Sequence, residues 1–149
     1  MDNNGIHHIV EELLARSGSS VKVVIEERFP TRRMVGGKYN PGSHTVTLYE
    51  QVIEEQCRLL FASERCLGEY IKAVFAHELG HAEDPQLTEL AERLNDSPPA
   101  LCKRIALQIE ENAWNYAEQL VPEVDAGLMK TIIFHSLRAY RESIQEESA

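Results

Sequence analysis

The segment HELGH, residues 77–81, places two histidines four positions apart, with a glutamate directly after the first. Residues at i and i+4 share one face of an α-helix, so His77 and His81 can direct two imidazole nitrogens at one ion about 2 Å away. Glu78 is displaced by about 100° around the helix, where its carboxylate can reach a water molecule beside the ion. The pattern predicts that His77 and His81 are metal ligands and that Glu78 is a catalytic general base. Polar residues near the end of an ordinary helix are the alternative interpretation.

A catalytic zinc ion usually has three protein ligands and one open position, so the hypothesis requires a third ligand. The segment QIEENAWNYAEQLVP, residues 108–122, contains the most informative candidates. Glu110 lies on a helix face that it shares with small residues, which allow close packing of two helices. That face has the spacing i, i+3, i+4 and i+7 and consists of Glu110, Ala113, Trp114 and Ala117. Glu111 lies about 100° away on a face predicted to be solvated. We therefore expect Glu110 to be the third metal ligand, with Glu111 as the alternative.

Two further features bear on the same site. Gly80 has no side chain, which would let another element approach the HELGH helix closely just before His81. Zn²⁺ is the expected cofactor, although histidine and carboxylate ligands also accept manganese or iron.

Other side chains could assist hydrolysis of a peptide bond. His135, Tyr116 and Tyr140 are candidates for stabilising the oxyanion of a tetrahedral intermediate, and each also has a purely structural interpretation. Asp84 could accept a hydrogen bond from the second ring nitrogen of His81. Because Asp84 precedes a proline, it could equally be a turn residue.

The spacing of apolar residues predicts the elements that position these groups. Residues 5–16 are predicted to form an amphipathic helix, 21–29 a strand, and 34–49 a β-hairpin or meander. From about residue 50 onward the pattern is helical, and the segment 67–82 is apolar on more than one side, as in a buried central helix. The exposed edge of strand 44–49 is predicted to pair with an extended substrate peptide.

These elements indicate an α+β fold, with a small N-terminal antiparallel or mixed β-sheet followed by a helical bundle around the HExxH helix. The length of 149 residues favours a single domain over residues 1–149.

Charge and composition narrow the classes of partner. A formal net charge of −9 argues against nucleic acid as a direct partner, because phosphate binding needs clustered lysine and arginine. The one basic cluster is short and adjoins acidic residues; it consists of Arg28, Arg32, Arg33 and Lys38. No apolar run approaches the length needed to cross a bilayer, and the N-terminal segment does not resemble a secretion signal. Three scattered cysteines, Cys57, Cys66 and Cys102, suggest free thiols in a reducing compartment. A cytoplasmic protein without membrane partners is expected.

The chain also resembles a known family. About thirty residues after HELGH comes the pattern Glu-x-x-Ala-x-x-Tyr-Ala-x-x-Leu-x-Pro (Glu110, Ala113, Tyr116, Ala117, Leu120, Pro122). Together the two motifs are similar to those of the ImmA/IrrE-type metallopeptidases, which belong to the gluzincins. The strand HTVTLY before the helices adds to this resemblance, which covers roughly residues 20–122. It implies a zincin-like fold with His77, His81 and Glu110 as zinc ligands and Glu78 as the general base. This chain departs from the family at Trp114, where Asn is frequent, and at Asn112, where Glu is frequent.

Many relatives carry, or are encoded beside, a helix-turn-helix repressor that they cleave, so the resemblance implies a repressor-like substrate. Because the chain is acidic and has no room for an additional domain, we expect a stand-alone peptidase domain. The function predicted from the sequence is therefore a zinc-dependent endopeptidase acting on a protein or peptide substrate, such as a repressor-like regulator. The alternative is a non-catalytic or latent binding protein that keeps the metalloprotease fold and acts on a regulatory partner.

Overall fold

A computed structural model describes residues 3–31 and 33–148. Within these residues the chain forms three strands and six helices. Their order is α1 (Asn3–Ser17), β1 (Lys22–Glu26), β2 (Gly37–Asn40), β3 (Thr45–Tyr49), α2 (Glu50–Phe61), α3 (Leu67–Ala82), α4 (Leu87–Asp96), α5 (Pro99–Leu120) and α6 (Ala126–Ser148). The predicted α+β organisation, with a small N-terminal sheet before a helical region, is confirmed.

The boundaries of α5 follow from local chemistry. The helix begins at Pro99, whose missing N–H and fixed φ suit the first turn of a helix. It ends at Leu120, two residues before Pro122, because the residue preceding a proline is disfavoured in the helical conformation.

The sheet is mixed, with the strand order β1-β3-β2. β1 pairs with β3 in parallel, so that Val23 lies opposite Val46. β2 pairs with β3 antiparallel, with Tyr39 opposite Val46, through the turn at residues 41–44. β3 is therefore the central strand, and four of its five residues are buried.

The prediction that strand 44–49 offers an exposed edge to a substrate is consequently wrong. Both edges of β3 are occupied, one by β1 and the other by β2. The alternating sequence pattern describes the two faces of a strand, whereas the occupancy of its edges depends on pairing with distant segments. β1 and β2 are the strands at the two edges of this sheet.

Helix α3 lies at the centre of the fold, as its apolar sequence predicts. It packs against α1, α2, α5, β2 and β3. Ile71, Phe75 and Leu79 are almost completely inaccessible to solvent, and they belong to a core that also includes residues of α1, the sheet and α6. Because α3 is surrounded, polar side chains on it must find partners inside the protein.

Two residues of the basic cluster make local contacts within the described residues. Arg28 pairs with Glu55, and the Lys38 ammonium lies 5.6 Å from the centroid of the Phe29 ring, while Arg32 is outside the residues that the structure describes. All three cysteines are free thiols. None of the helices within residues 3–31 and 33–148 has both the length and the apolar character needed to span a membrane.

Candidate metal centre

His77 and His81 project from successive turns of α3 into one site. Their side chains are 11% and 12% exposed, and their ring centroids are 4.7 Å apart with an interplanar angle of 73°. The imidazoles therefore converge, as the i, i+4 spacing predicts.

Glu110 of α5 meets both rings. Its Oε1 lies 3.0 Å from Nε2 of His77, and its Oε2 lies 3.2 Å from Nε2 of His81. Ligands at 2.0–2.1 Å from a tetrahedral zinc ion are separated from each other by about 3.3 Å. The two nitrogen-to-oxygen distances are close to this value, so the three side chains fit a site for one small divalent ion with two imidazoles and a carboxylate. Glu111, by comparison, is partly exposed and does not line this site.

Close packing of two helices brings Glu110 to the histidines. A Cβ atom at position 80 would lie 2.8 Å from the Cα of Ala113, so the backbones of α3 and α5 approach each other where both residues are smallest. Ala113 and Ala117 are completely buried in this contact region. The predicted close approach at Gly80 and at the small face of α5 is confirmed.

Glu78 is buried beside the same site, with 5% of its surface exposed. Its Oε1 lies 3.1 Å from Nδ1 of His77. When Nε2 of His77 faces a ligand, Nδ1 carries the proton and donates a hydrogen bond to this carboxylate, an arrangement that commonly orients metal-binding histidines. Gly37 at the start of β2 borders Glu78, since a Cβ at position 37 would lie 3.1 Å from Cγ of Glu78.

His77 and Glu110 are electrostatically matched. Burial lowers the pKa of His77, but hydrogen bonds with Glu110 and Glu78 outweigh this effect and raise the pKa to about 9. Burial likewise raises the pKa of Glu110, but hydrogen bonds from His77 and His81 prevail and lower it to about 2. Both shifts favour an imidazolium–carboxylate pair, which holds the side chains together.

The site opens into a cavity of about 820 Å³. The segment that leads into β2, residues 34–37, lines this cavity together with residues of α6. The lining combines polar residues such as His77, Glu78 and Glu110 with apolar residues such as Leu60, Val74 and Ile132. A cleft of this size and composition can hold several residues of an extended peptide.

The candidate oxyanion donors fall into two groups. His135 and Tyr140, both on α6, line the cavity with His77, Glu78 and Glu110. Burial, followed by the charge of Glu110, raises the pKa of Tyr140, so its hydroxyl keeps its proton at neutral pH. Tyr116 instead is half-buried against the core and does not line the cavity. Only the first two are placed to meet a substrate there.

Asp84 acts at the turn after α3. Its Oδ1 accepts a hydrogen bond from the backbone N–H of Gln86 at 2.8 Å, and its Oδ2 accepts one from Nδ2 of Asn112 at 3.3 Å. The carboxylate thus ties the end of α3 to α5 through Asn112. Of the two roles considered from the sequence, the structure shows that of the turn residue.

Trp114 contributes to the site in a way that the sequence did not indicate. Its indole stacks on the His77 ring, with centroids 4.3 Å apart and an interplanar angle of 25°. In the sequence, the one indication of this role was the position of Trp114, one turn after Glu110 on the same helix face. That position predicted packing against α3 without specifying a histidine as the partner.

His77, Glu78 and His81 also form the group of potential metal ligands whose donor atoms all lie within 4.8 Å of one another. Comparisons with protein-family models, with curated proteins and with solved structures found no match to this chain. The candidate function therefore depends on the geometry of the site and on the chemistry of its side chains.

Proposed function

We propose that this protein is a zinc-dependent endopeptidase with a zincin-like site, similar in its machinery to the ImmA/IrrE-type metallopeptidases. The observation that carries the proposal is the arrangement around Glu110, whose two oxygens face Nε2 of His77 and Nε2 of His81 at 3.0 and 3.2 Å. Two imidazoles and one carboxylate with a neighbouring glutamate are the donor set of a catalytic rather than a structural zinc site, because the fourth position stays open.

Zinc bound by His77, His81 and Glu110 would polarise the scissile carbonyl group and make a water molecule more acidic. Glu78 would accept a proton from the attacking water and deliver it to the nitrogen of the leaving amine. Its hydrogen bond with Nδ1 of His77 fixes one carboxylate oxygen and leaves the other free for the proton transfer. Burial of Glu78 also shields this transfer from bulk water.

The sheet suggests how a peptide is held. β2 is an edge strand whose first residue, Gly37, lies beside Glu78, and the preceding residues 34–36 line the cavity. An extended peptide could hydrogen-bond to this edge and so place one peptide group next to the general base. In this arrangement β2 replaces the strand 44–49 that the sequence had suggested. The substrate would be a protein or peptide, and a repressor-like regulator is the candidate that the family resemblance suggests.

The variant Glu78→Gln tests the proposal, because glutamine keeps the size of the side chain but cannot act as a base. We expect the variant to bind zinc like the wild type and to lose peptide hydrolysis by about 10²- to 10⁴-fold, the usual contribution of a general base. Glu111→Gln is the matched control, since it makes the same change outside the cavity. Elemental analysis measures the metal, and mass spectrometry of a defined mixture of synthetic peptides measures cleavage.

Two other results would contradict the proposal. Equal cleavage by Glu78→Gln and wild type would exclude Glu78 as the base. A zinc-loaded wild type that cleaves none of the peptides would support the alternative function, in which a non-catalytic or latent protein acts by binding a regulatory partner.

A further inference from the structure

Trp114 is the only tryptophan of the chain, and it lies flat against His77. Trp114 is 4% exposed, so the stack is largely shielded from bulk solvent where it borders the cavity. Trp114 follows Glu110 by one helical turn. The same face of α5 therefore presents a carboxylate to the edge of the His77 ring and an indole to its face.

The His77 ring is contacted on three sides. Glu110 meets Nε2 at 3.0 Å, Glu78 meets Nδ1 at 3.1 Å, and the Trp114 indole covers one face. The two polar contacts fix the edges of the ring, but the torsion that rotates an imidazole about its Cβ–Cγ bond is intrinsically broad. A flat aromatic group 4.3 Å from the ring restricts this rotation, because a tilted imidazole would collide with the indole.

The indole is itself held by α6. Its Nε1–H donates a hydrogen bond of 3.1 Å to Oγ of Ser136, a residue that lines the same cavity. Buried indole N–H groups normally require such a partner, so Ser136 both satisfies the group and fixes the plane of the ring. A chain of contacts thus runs from Ser136 on α6 through Trp114 on α5 to His77 on α3.

We propose that Trp114 is a positioning residue for the metal, which holds the imidazole of His77 in its ligating orientation and is in turn oriented by Ser136. This inference rests on the proposed metal centre. It assigns to the indole an effect on metal affinity and on ligand geometry that goes beyond its contribution to packing.

The experiment compares zinc affinity, by competition with a chromogenic chelator, and the visible spectrum of Co²⁺-substituted protein, which reports ligand geometry. Trp114→Leu keeps an apolar side chain but removes both the ring that stacks on His77 and the indole N–H that donates to Ser136. We expect it to bind zinc about 10- to 100-fold more weakly, as is typical when a group that orients a metal ligand is removed. Trp114→Phe keeps a ring and should recover part of the affinity, and Ser136→Ala should lose less affinity than Trp114→Leu.

Thr131→Val is the matched control for Ser136→Ala, since it removes a hydroxyl from α6 whose hydrogen bond of 2.9 Å is to the carbonyl of Gly127. It should retain the affinity and the Co²⁺ spectrum of the wild type. Folded Trp114→Leu protein with unchanged affinity and spectrum would overturn the inference. If Trp114→Leu does not fold, unchanged values for both Trp114→Phe and Ser136→Ala would overturn it instead. A wild type that binds zinc no better than His77→Ala would refute the metal centre itself, which is a different result.

Discussion

A side chain at position 80 has no space beside Ala113, because a Cβ there would lie 2.5 Å from the carbonyl oxygen of Ala113. The nearest atoms all belong to the backbone of α5, which cannot rotate away as a flexible side chain can. The glycine of HELGH thus sets the distance between the helix with the two histidines and the helix with the third ligand candidate.

Gly80→Ala should separate α3 from α5. Alanine is the better helix former by about 1 kcal/mol, but overpacking against a fixed backbone typically costs about 1–3 kcal/mol, so we expect a lower free energy of unfolding. Zinc affinity should fall as well, because Glu110 would move away from the histidines. Denaturant unfolding and chelator competition measure the two effects. Gly127→Ala is the control, since it is also a helical glycine but its nearest neighbour is a side-chain oxygen of Asp125 rather than backbone. We expect it to keep the zinc affinity of the wild type and to be no less stable, with a gain of at most about 1 kcal/mol. An unchanged stability of Gly80→Ala would show that the two helices adjust freely.

Removal of Glu110 should abolish stoichiometric metal binding. Glu110→Ala removes the carboxylate whose two oxygens lie 3.0 and 3.2 Å from Nε2 of the two imidazoles, whereas Glu111→Ala removes a neighbouring carboxylate outside the cavity. Elemental analysis of the purified proteins should find zinc in the wild type and in Glu111→Ala, and little in Glu110→Ala. The reverse result would assign the third ligand to Glu111.

The two tyrosines considered as oxyanion donors should differ in their effect on catalysis. Tyr140→Phe removes a hydroxyl from the cavity, and we expect a lower kcat, by up to about 10²- to 10³-fold if this hydroxyl stabilises the oxyanion. Tyr116→Phe makes the same chemical change in the core and should leave kcat at the wild-type value. Steady-state kinetics on one cleavable peptide give the comparison. A full loss of activity in Tyr116→Phe would contradict this assignment.

A surface ion-pair network should make stability depend on pH in the acid range. Glu123 accepts hydrogen bonds from Arg16 of α1 and Lys72 of α3, at 2.8–2.9 and 3.1 Å. Burial raises the pKa of Glu123, but the hydrogen bonds from Arg16, the backbone and Lys72 lower it to about 2. A carboxyl group with a depressed pKa in the folded state stabilises the fold above its unfolded-state pKa of about 4.5. This contribution is lost as pH falls from there through about 2.

The wild type should therefore be more stable than Glu123→Gln at pH 7, and the difference should shrink between pH 4.5 and pH 2. The side chain of Glu123 is 41% exposed, so solvent screening limits each ion pair to about 1 kcal/mol or less. Denaturant unfolding at several pH values checks the prediction, and added salt should reduce the difference at pH 7. A difference that is constant from pH 7 to pH 2 would show that the charge of Glu123 does not contribute.

Much of the local structure could be predicted from the sequence, because helical periodicity depends on neighbouring residues. The convergence of His77 and His81 follows from their separation of four positions on one helix. The face of α5 that contains Glu110 could be identified in the same way, because Ala113 and Ala117 mark the side that can approach another helix. These features depend only on helical geometry and on side-chain size, and the local amino-acid sequence is enough to predict both.

The tertiary structure alone decided which distant groups meet. β1 lies beside β3 through a parallel pairing between segments about twenty residues apart, and this pairing covers the edge of β3 that β2 leaves open. The free edges of the sheet therefore belong to β1 and β2. The path of α6 likewise brings Tyr140 into the cavity and Ser136 to the indole of Trp114, while Tyr116 faces the core. Strand pairing and helix docking result from contacts summed over the whole chain, so no single segment contains enough information to specify them.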